Sequence, residues 1–197
     1  MFNENIVKQI KDYAELNNVP IMEDSGINYL LSYIKKNNIK SILEIGAAIG
    51  YSAIMMCSVD NDIIVTTIEK DEKRYLEALK NIKKMGFEER INLVYKDAFD
   101  VVLHDKYDLI FIDAAKAQNR KFFEKFEKYL SDDGTIITDN MKFHGLVDSP
   151  LEDIDSKNLR QMVRKVKDYK SFLEKNDNYD TEFLDVGDGL AVSVKNS

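Results

Sequence analysis

The chain has 197 residues, 44% hydrophobic and 32% charged, which suits a globular protein with room for one full-sized core. A net charge of −7 argues against indiscriminate nucleic-acid binding, though not against a local basic surface. No apolar run is long enough to cross a bilayer, the opening MFNENIVKQIKDY alternates charged with apolar residues, and the single cysteine, Cys57, has no partner for an internal disulfide. We therefore expect a cytoplasmic protein with neither membrane anchor nor secretory signal.

Residues 3–17 carry an amphipathic helix pattern, with Ile6, Val7, Ile10, Tyr13, Ala14 and Leu16 toward one side. Pro20 ends it by biasing its predecessor away from the helical region. Asp24 or Ser25 is the expected N-cap of a second helix reaching about Lys36, with Ile27, Leu30, Leu31 and Ile34 as its stripe. Ser41 to Ile45 reads as a buried strand, followed by a turn between Gly46 and Gly50 and a helix over 51–58. Residues 62–69 form the second strand, and a helix over 71–85 turns Tyr75, Leu76, Leu79 and Ile82 inward before Gly86 stops it. The third strand, 91–95, leads to Asp97-Ala98, and the fourth, 107–112, leads to Asp113. A helix over 117–130 precedes a strand over 134–138 that runs into Asp139-Asn140. A last helix, at about 156–175, is followed by strands at 180–185 and 190–194. The short turn Gly187-Asp188-Gly189 makes those two antiparallel. Seven strands alternating with helices imply a mostly parallel sheet with one antiparallel strand and helices on both faces.

The turn after the first strand has the form E-x-G-x-x-x-G, from Glu44 to Gly50. Ala48 removes the dinucleotide fingerprint G-x-G-x-x-G. The form resembles the first motif of class I S-adenosylmethionine-dependent methyltransferases, although an ordinary tight turn of another doubly wound protein also satisfies it. Glycine at 46 and 50 leaves the backbone open to close approach of a ligand.

Glu44, Glu69, Asp113 and Asp139 all stand at expected strand ends, with Asp97 just beyond a fifth. Open α/β sheets bind ligands outside those ends. Any single acid there is ordinarily a helix cap or a solvated loop residue. Five together need compensating partners, which a sulfonium, a ribose diol and a metal ion would supply. Glu69 suits the ribose hydroxyls, Asp97-Ala98 the adenine edge, and Glu44 with Gly46 the amino-acid part and its sulfonium. Ser52 would bond the methionyl carboxylate at a helix N-terminus. If the fourth and fifth strands are neighbours, Asp113 and Asp139 lie on chains about 4.8 Å apart and repel unless a proton or cation intervenes. With Asn140 they offer oxygen donors suited to Mg2+ or another hard divalent cation. Lys116, three residues past Asp113, fits a general base beside that cation; a plain surface lysine is the alternative.

The last helix separates Leu159, Val163, Val166 and Leu173 from Lys157, Arg160, Arg164 and Lys167 at about 100° per residue. Six basic residues and one acid give residues 157–170 a charge of +5, so the rest of the chain carries −12 against the overall −7. A basic stripe on an acidic protein suits phosphate contact, and a solvated helix face is the alternative. Lys142, Arg120 and Lys121 would extend that surface, and His144 would line the substrate entrance or stabilise its loop. His104 belongs to a surface loop. Phe122, Phe123 and Phe126 are expected in the core or at a dimer contact, and Cys57 as a buried apolar residue.

LEIGAAIGYSA, TTIE, FIDAAK and TDN together resemble the cation-dependent O-methyltransferases, a family that includes the catechol and caffeoyl-CoA O-methyltransferases. The resemblance implies one Rossmann-like class I methyltransferase domain over 1–197, with N-terminal helices (1–38) covering the site of a core (39–197). It implies a metal on Asp113, Asp139 and Asn140, with Asp113 also bordering the cofactor, Lys116 as the base and Glu69 on the ribose. Met22 would lie over the cofactor. The segments VPIME (19–23), DNMKFHG (139–145) and NLRQMVRK (158–165) are similar to bacterial members that methylate 5-hydroxyuridine in tRNA. That similarity implies conversion of 5-hydroxyuridine to 5-methoxyuridine at the wobble position, with the tRNA anticodon loop as partner and a homodimeric protein. Small catechol-like phenols are the alternative substrates, since both classes present two adjacent oxygens to a metal. A tRNA-binding module without catalysis is a more distant alternative.

Overall fold

In the computed structural model, which describes residues 2–143 and 145–196, two helices precede the first strand. Helix α1 (Glu4–Leu16) starts at Asn3, whose side-chain oxygen accepts hydrogen bonds from the backbone N–H groups of Asn5 and Ile6. Helix α2 (Asp24–Lys36) has Glu23 at its N-cap and no side-chain cap. The two residues expected to cap it are engaged elsewhere. Asp24 pairs with Lys11 of α1, and the Ser25 hydroxyl accepts a 3.1 Å hydrogen bond from the backbone N–H of Gly187.

The seven strands are β1 (Ser41–Ile45), β2 (Ile64–Glu69), β3 (Ile91–Tyr95), β4 (Tyr107–Ile112), β5 (Leu130–Thr138), β6 (Tyr179–Leu184) and β7 (Leu190–Lys195). They lie in the order β3-β2-β1-β4-β5-β7-β6. The chain begins in mid-sheet, runs out to β3 and returns to β4, so the strand order reverses between β1 and β4. β7 runs antiparallel to both β5 and β6, while the pairings among β1 to β5 are all parallel. The remaining helices are α3 (Tyr51–Cys57), α4 (Glu72–Met85), α5 (Asn119–Phe126) and α6 (Lys157–Glu174).

Strand alternation builds two cores, one on each face. Ile42, Leu109 and Phe111 point into a cluster with Ile10, Leu30 and Ile34 of the N-terminal helices and Ile54 and Ile82 of α3 and α4. Leu43, Ile45, Ile110 and Ile112 point the other way, onto Phe122, Phe123 and Phe126 of α5 and Tyr169 and Leu173 of α6. The N-terminal helices thus share a core with the sheet. Cys57 is buried, as expected, and burial pushes its thiol up to about 11. Among the described residues no helix is long and apolar enough to cross a membrane.

Three elements depart from the sequence pattern. The helix expected over 117–130 is α5 alone, flanked by 3-10 turns at 116–118 and 127–129, because Leu130 already pairs with Tyr107 and opens a longer β5 across an irregular register. Helix α4 buries Ala78, Asn81, Ile82 and Met85 and leaves Leu76 and Leu79 exposed. Its small face must pack inward, since Ala78 lies against Gly50, where an added Cβ would sit 3.3 Å from the alanine Cβ. On α6 it is Tyr169, not Leu159, that completes the buried stripe with Val163, Val166 and Leu173.

Candidate active site

The carboxyl ends of β1, β2, β4 and β5 open into a cavity of about 550 Å³, covered from the N-terminal side by Pro20 to Glu23. Its floor is the turn after β1. The backbone N–H groups of Gly46 and Ala47 both donate to the Ile68 carbonyl at 3.0 Å, which binds the turn to the end of β2. Gly46 has φ +104°, and a Cβ there would lie 2.2 Å from the backbone oxygen of Asp113. At both positions the chain itself also makes a close approach, a requirement for glycine separate from the room expected for a ligand. Gly46 does border the cavity.

Glu69 ends β2 and lines the cavity. One carboxylate oxygen accepts from the Ala48 N–H, the other from the Lys70 and Asp71 N–H groups, each at 2.8 Å. Three backbone donors lock its direction, and a carboxylate has about four acceptor positions, so capacity remains for a ligand hydroxyl. Asp97, paired with Lys70 at 3.1 Å, and Ala98 line the cavity beside it. The backbone N–H of Phe99, with Lys70 beside it, holds the Asp97 carboxyl below its ordinary range.

Glu44 and Ser52 are placed differently from the expectation. The alternation of β1 turns Glu44 toward α3, where it is wholly buried beneath the turn, and neither residue lines the cavity. The Ser52 and Thr67 hydroxyls both donate to the Glu44 carboxylate, so the Ser52 hydroxyl proton is directed at Glu44. Burial pushes the Glu44 carboxyl up to about 7 against the pull of those two bonds.

Asp113 and Asp139 meet as the strand-neighbour argument requires. Ile112 pairs with Thr138, the Asp113 N–H donates to the Ile45 carbonyl and the Asp139 N–H to the Ile112 carbonyl, both at 3.0 Å. Burial, then the nearby Asp139 and Glu44 carboxyls, push Asp113 well above the usual carboxylate range. Burial raises Asp139 as well, with a contribution from Asp188, while the Asn140 N–H, donating at 2.7 Å, pulls it down. Asn140 follows with φ +63°, a left-handed position that asparagine tolerates, and lines the cavity with both acids.

Lys116 opens the 116–118 turn with its side chain 19% exposed. Its ammonium lies 3.4 Å from a carboxylate oxygen of Asp188 and 4.7 Å from the Phe143 ring centroid, and it opposes the pKa rise of both acids. Asp188 is the site residue that sequence reasoning missed. Its signal was present, an acid held between two glycines, but it read as turn chemistry. Among the described residues no three His, Cys, Asp or Glu side chains form a ready metal cluster, so the candidate donor set remains two carboxylates and the Asn140 amide.

Met22 is buried and lines the cavity, with its methyl group 3.0 Å from where a Gly26 Cβ would be. Of the basic residues, Lys157 and Arg164 are exposed on α6. Arg160 donates to the Ile154 carbonyl at 2.6 Å and Lys167 to the Ser149 carbonyl at 3.3 Å, so these two tie the preceding loop to α6. Lys142 pairs with Asp185, and Arg120 with Glu124 at 2.9 Å. His104 is exposed in a loop, and His144 lies outside the described residues. Phe122, Phe123 and Phe126 are core.

A cavity at the strand-order switch, with an anchored acid on β2 and a glycine turn after β1, is a Rossmann-like arrangement suited to a nucleoside cofactor. A family described as O-methyltransferase matches residues 2–196. The chain is 28% identical over 190 residues to a caffeoyl-CoA O-methyltransferase of Populus kitakamiensis, covering 92% of this chain and 80% of that one. A crystal structure from Staphylococcus aureus, described as a caffeoyl-CoA O-methyltransferase, superposes with TM-score 0.92 at 42% identity, covering 96% of this chain and 92% of that one. An O-methyltransferase of Bacillus cereus in complex with SAH shares the fold, with TM-score 0.85 at 22% identity over 98% of this chain and 92% of that one. The chain belongs to the O-methyltransferase family.

Proposed function

We propose that this O-methyltransferase converts 5-hydroxyuridine to 5-methoxyuridine at the wobble position of tRNA, with a divalent cation such as Mg2+ held by Asp113, Asp139 and Asn140. The observation that carries the chemistry is the convergence of those three residues and Lys116 on one cavity. The donor set fits a hard cation: two buried carboxyls are pushed up by burial and by neighbouring acids, and Asn140 adds an amide oxygen. When bound, such a cation supplies charge that holds two adjacent substrate oxygens and acidifies the hydroxyl. S-adenosylmethionine supplies the electrophilic methyl group.

The chain's own residues do the rest. Glu69, fixed by three backbone donors, holds the ribose, and Met22 closes the cavity above the cofactor. Lys116 takes the proton from the substrate hydroxyl. The RNA part of the reading is supported by the exposed Lys157, Arg164 and Lys165 on α6, a helix that packs against the turn carrying Lys116. Small catechol-like phenols are the second reading, favoured by the similarity to proteins described as caffeoyl-CoA O-methyltransferases. Nucleoside mass spectrometry of tRNA from a deletion strain tests the first reading. The expected result is loss of 5-methoxyuridine with accumulation of 5-hydroxyuridine, and unchanged 5-methoxyuridine would overturn it.

A further inference from the structure

The turn between β6 and β7 is far from Lys116 in sequence, yet it ties together three separate parts of the site. The backbone N–H groups of Met141 and Lys142, directly after Asn140, donate to the carbonyls of Gly189 at 2.9 Å and Asp188 at 2.8 Å. The Gly187 N–H donates to Ser25 at the start of α2, and a Cβ on Gly187 would lie 3.4 Å from the Gly26 Cα. Gly189, at φ +83°, passes so close to residue 142 that a Cβ would lie 3.0 Å from its backbone nitrogen. Glycine is therefore needed at 189, and the residue before it is held in place by these backbone bonds.

That residue is Asp188, with its side chain only 8% exposed, lining the cavity that holds Asp113 and Asp139. Another buried carboxylate beside two acids already pushed toward protonation raises the cost of the site, and burial of such a charge requires a compensating partner. Its carboxylate lies 3.4 Å from the Lys116 ammonium, across 72 residues of sequence. Lys116 sits on a three-residue 3-10 turn, and a flexible four-carbon side chain leaving so short an element has little local restraint.

We infer that Asp188 is a positioning residue: it holds the Lys116 side chain over the Phe143 ring and aims its nitrogen into the cavity, so that the nitrogen is in place to take the substrate's proton once its own has passed to solvent. The inference rests on the reading of Lys116 as the base. It assigns the β6–β7 turn a part in catalysis and links the N-terminal cover of the site, through Ser25, to the position of the proton acceptor.

The test compares wild type with Asp188→Asn, which keeps the shape and removes the charge, and with Asp188→Glu, which keeps the charge. Acetylation of Lys116 by N-hydroxysuccinimidyl acetate, followed by peptide mass spectrometry, needs no substrate. Lys116 should label faster in Asp188→Asn, with exposed Lys8 and Lys84 unchanged. On tRNA bearing 5-hydroxyuridine and on a simple catechol, whichever wild type methylates, Asp188→Asn should lower kcat about tenfold or more, the usual scale for residues that orient a reacting group. Cofactor Kd and Tm should stay close to wild type, and Asp188→Glu should recover part of the loss. An unchanged Lys116 labelling rate overturns the inference. So does a kcat loss matched by equal weakening of cofactor binding and a lower Tm, which marks a turn that has only come apart. If wild type methylates neither substrate, the reaction proposed above fails, and the labelling arm alone decides the role of Asp188.

Discussion

Glu44 offers a quantitative test of how the glycine turn is built. Its carboxyl is wholly buried, takes the Ser52 and Thr67 hydroxyls, and rises from 4.5 to about 7. Below the unfolded value the group is protonated in both states and folding carries no penalty. Between about pH 4.5 and 7 the unfolded chain releases the proton and the native chain keeps it, so stability falls as pH rises. Above about 7 the native protein carries a buried charge and the full penalty, about 3 kcal/mol, is present. Glu44→Gln keeps the shape without the charge, and the two hydroxyls can reorient to bond the amide. The variant should match wild type within about 1 kcal/mol near pH 5 and exceed it by about 2–3 kcal/mol more at pH 8. Urea denaturation of cofactor-free protein at the two pH values measures this. Taking the difference between variant and wild type cancels the titration of groups that do not feel Glu44, while Asp113, which the Glu44 carboxyl pushes up, is relieved in the variant and adds to the difference with the same sign. A difference that is the same at both pH values refutes the assignment of Glu44 as a buried group protonated below neutrality.

Lys116→Ala should lower turnover by about 10²- to 10⁴-fold while leaving cofactor affinity within about twofold, measured by steady-state kinetics and calorimetry; full activity removes Lys116 as the base. Treatment with EDTA should abolish methyl transfer and added Mg2+ should restore it, whereas normal turnover in chelator refutes the cation. Gly46→Ala forces a side chain onto the Asp113 carbonyl at φ +104° and should destabilise the protein by about 2 kcal/mol or more, seen as a lowered Tm. Replacing Lys157 and Arg164 by glutamate should weaken tRNA binding and flatten its salt dependence, with little effect on a catechol substrate. Arg160 and Lys167 are unsuitable for that test because they also tie a loop to α6.

The strands were legible because β-branched and aliphatic runs covered on both faces leave a strong local signal, and each run was punctuated by an acid or a glycine. The fold class and the pairing of Asp113 with Asp139 followed from that punctuation, since adjacent parallel strands place their ends side by side. Helix faces were less legible. Leu76 and Leu79 fit an inward stripe by hydropathy, but contact with Gly50 demanded the small side chain of Ala78.

The chain by itself determined which chemical groups stand at the strand ends, because strand and turn signals are local. Only the tertiary structure decided what each group faces. The alternation of β1 turned Glu44 away from the cavity, and Ser52 was drawn into bonding it. The close approach of β4 set the requirement for glycine at 46. Asp188 reached Lys116 because an antiparallel turn, distant in sequence, folds over the ends of β4 and β5. Contacts of that kind depend on register and strand order, which no local pattern encodes.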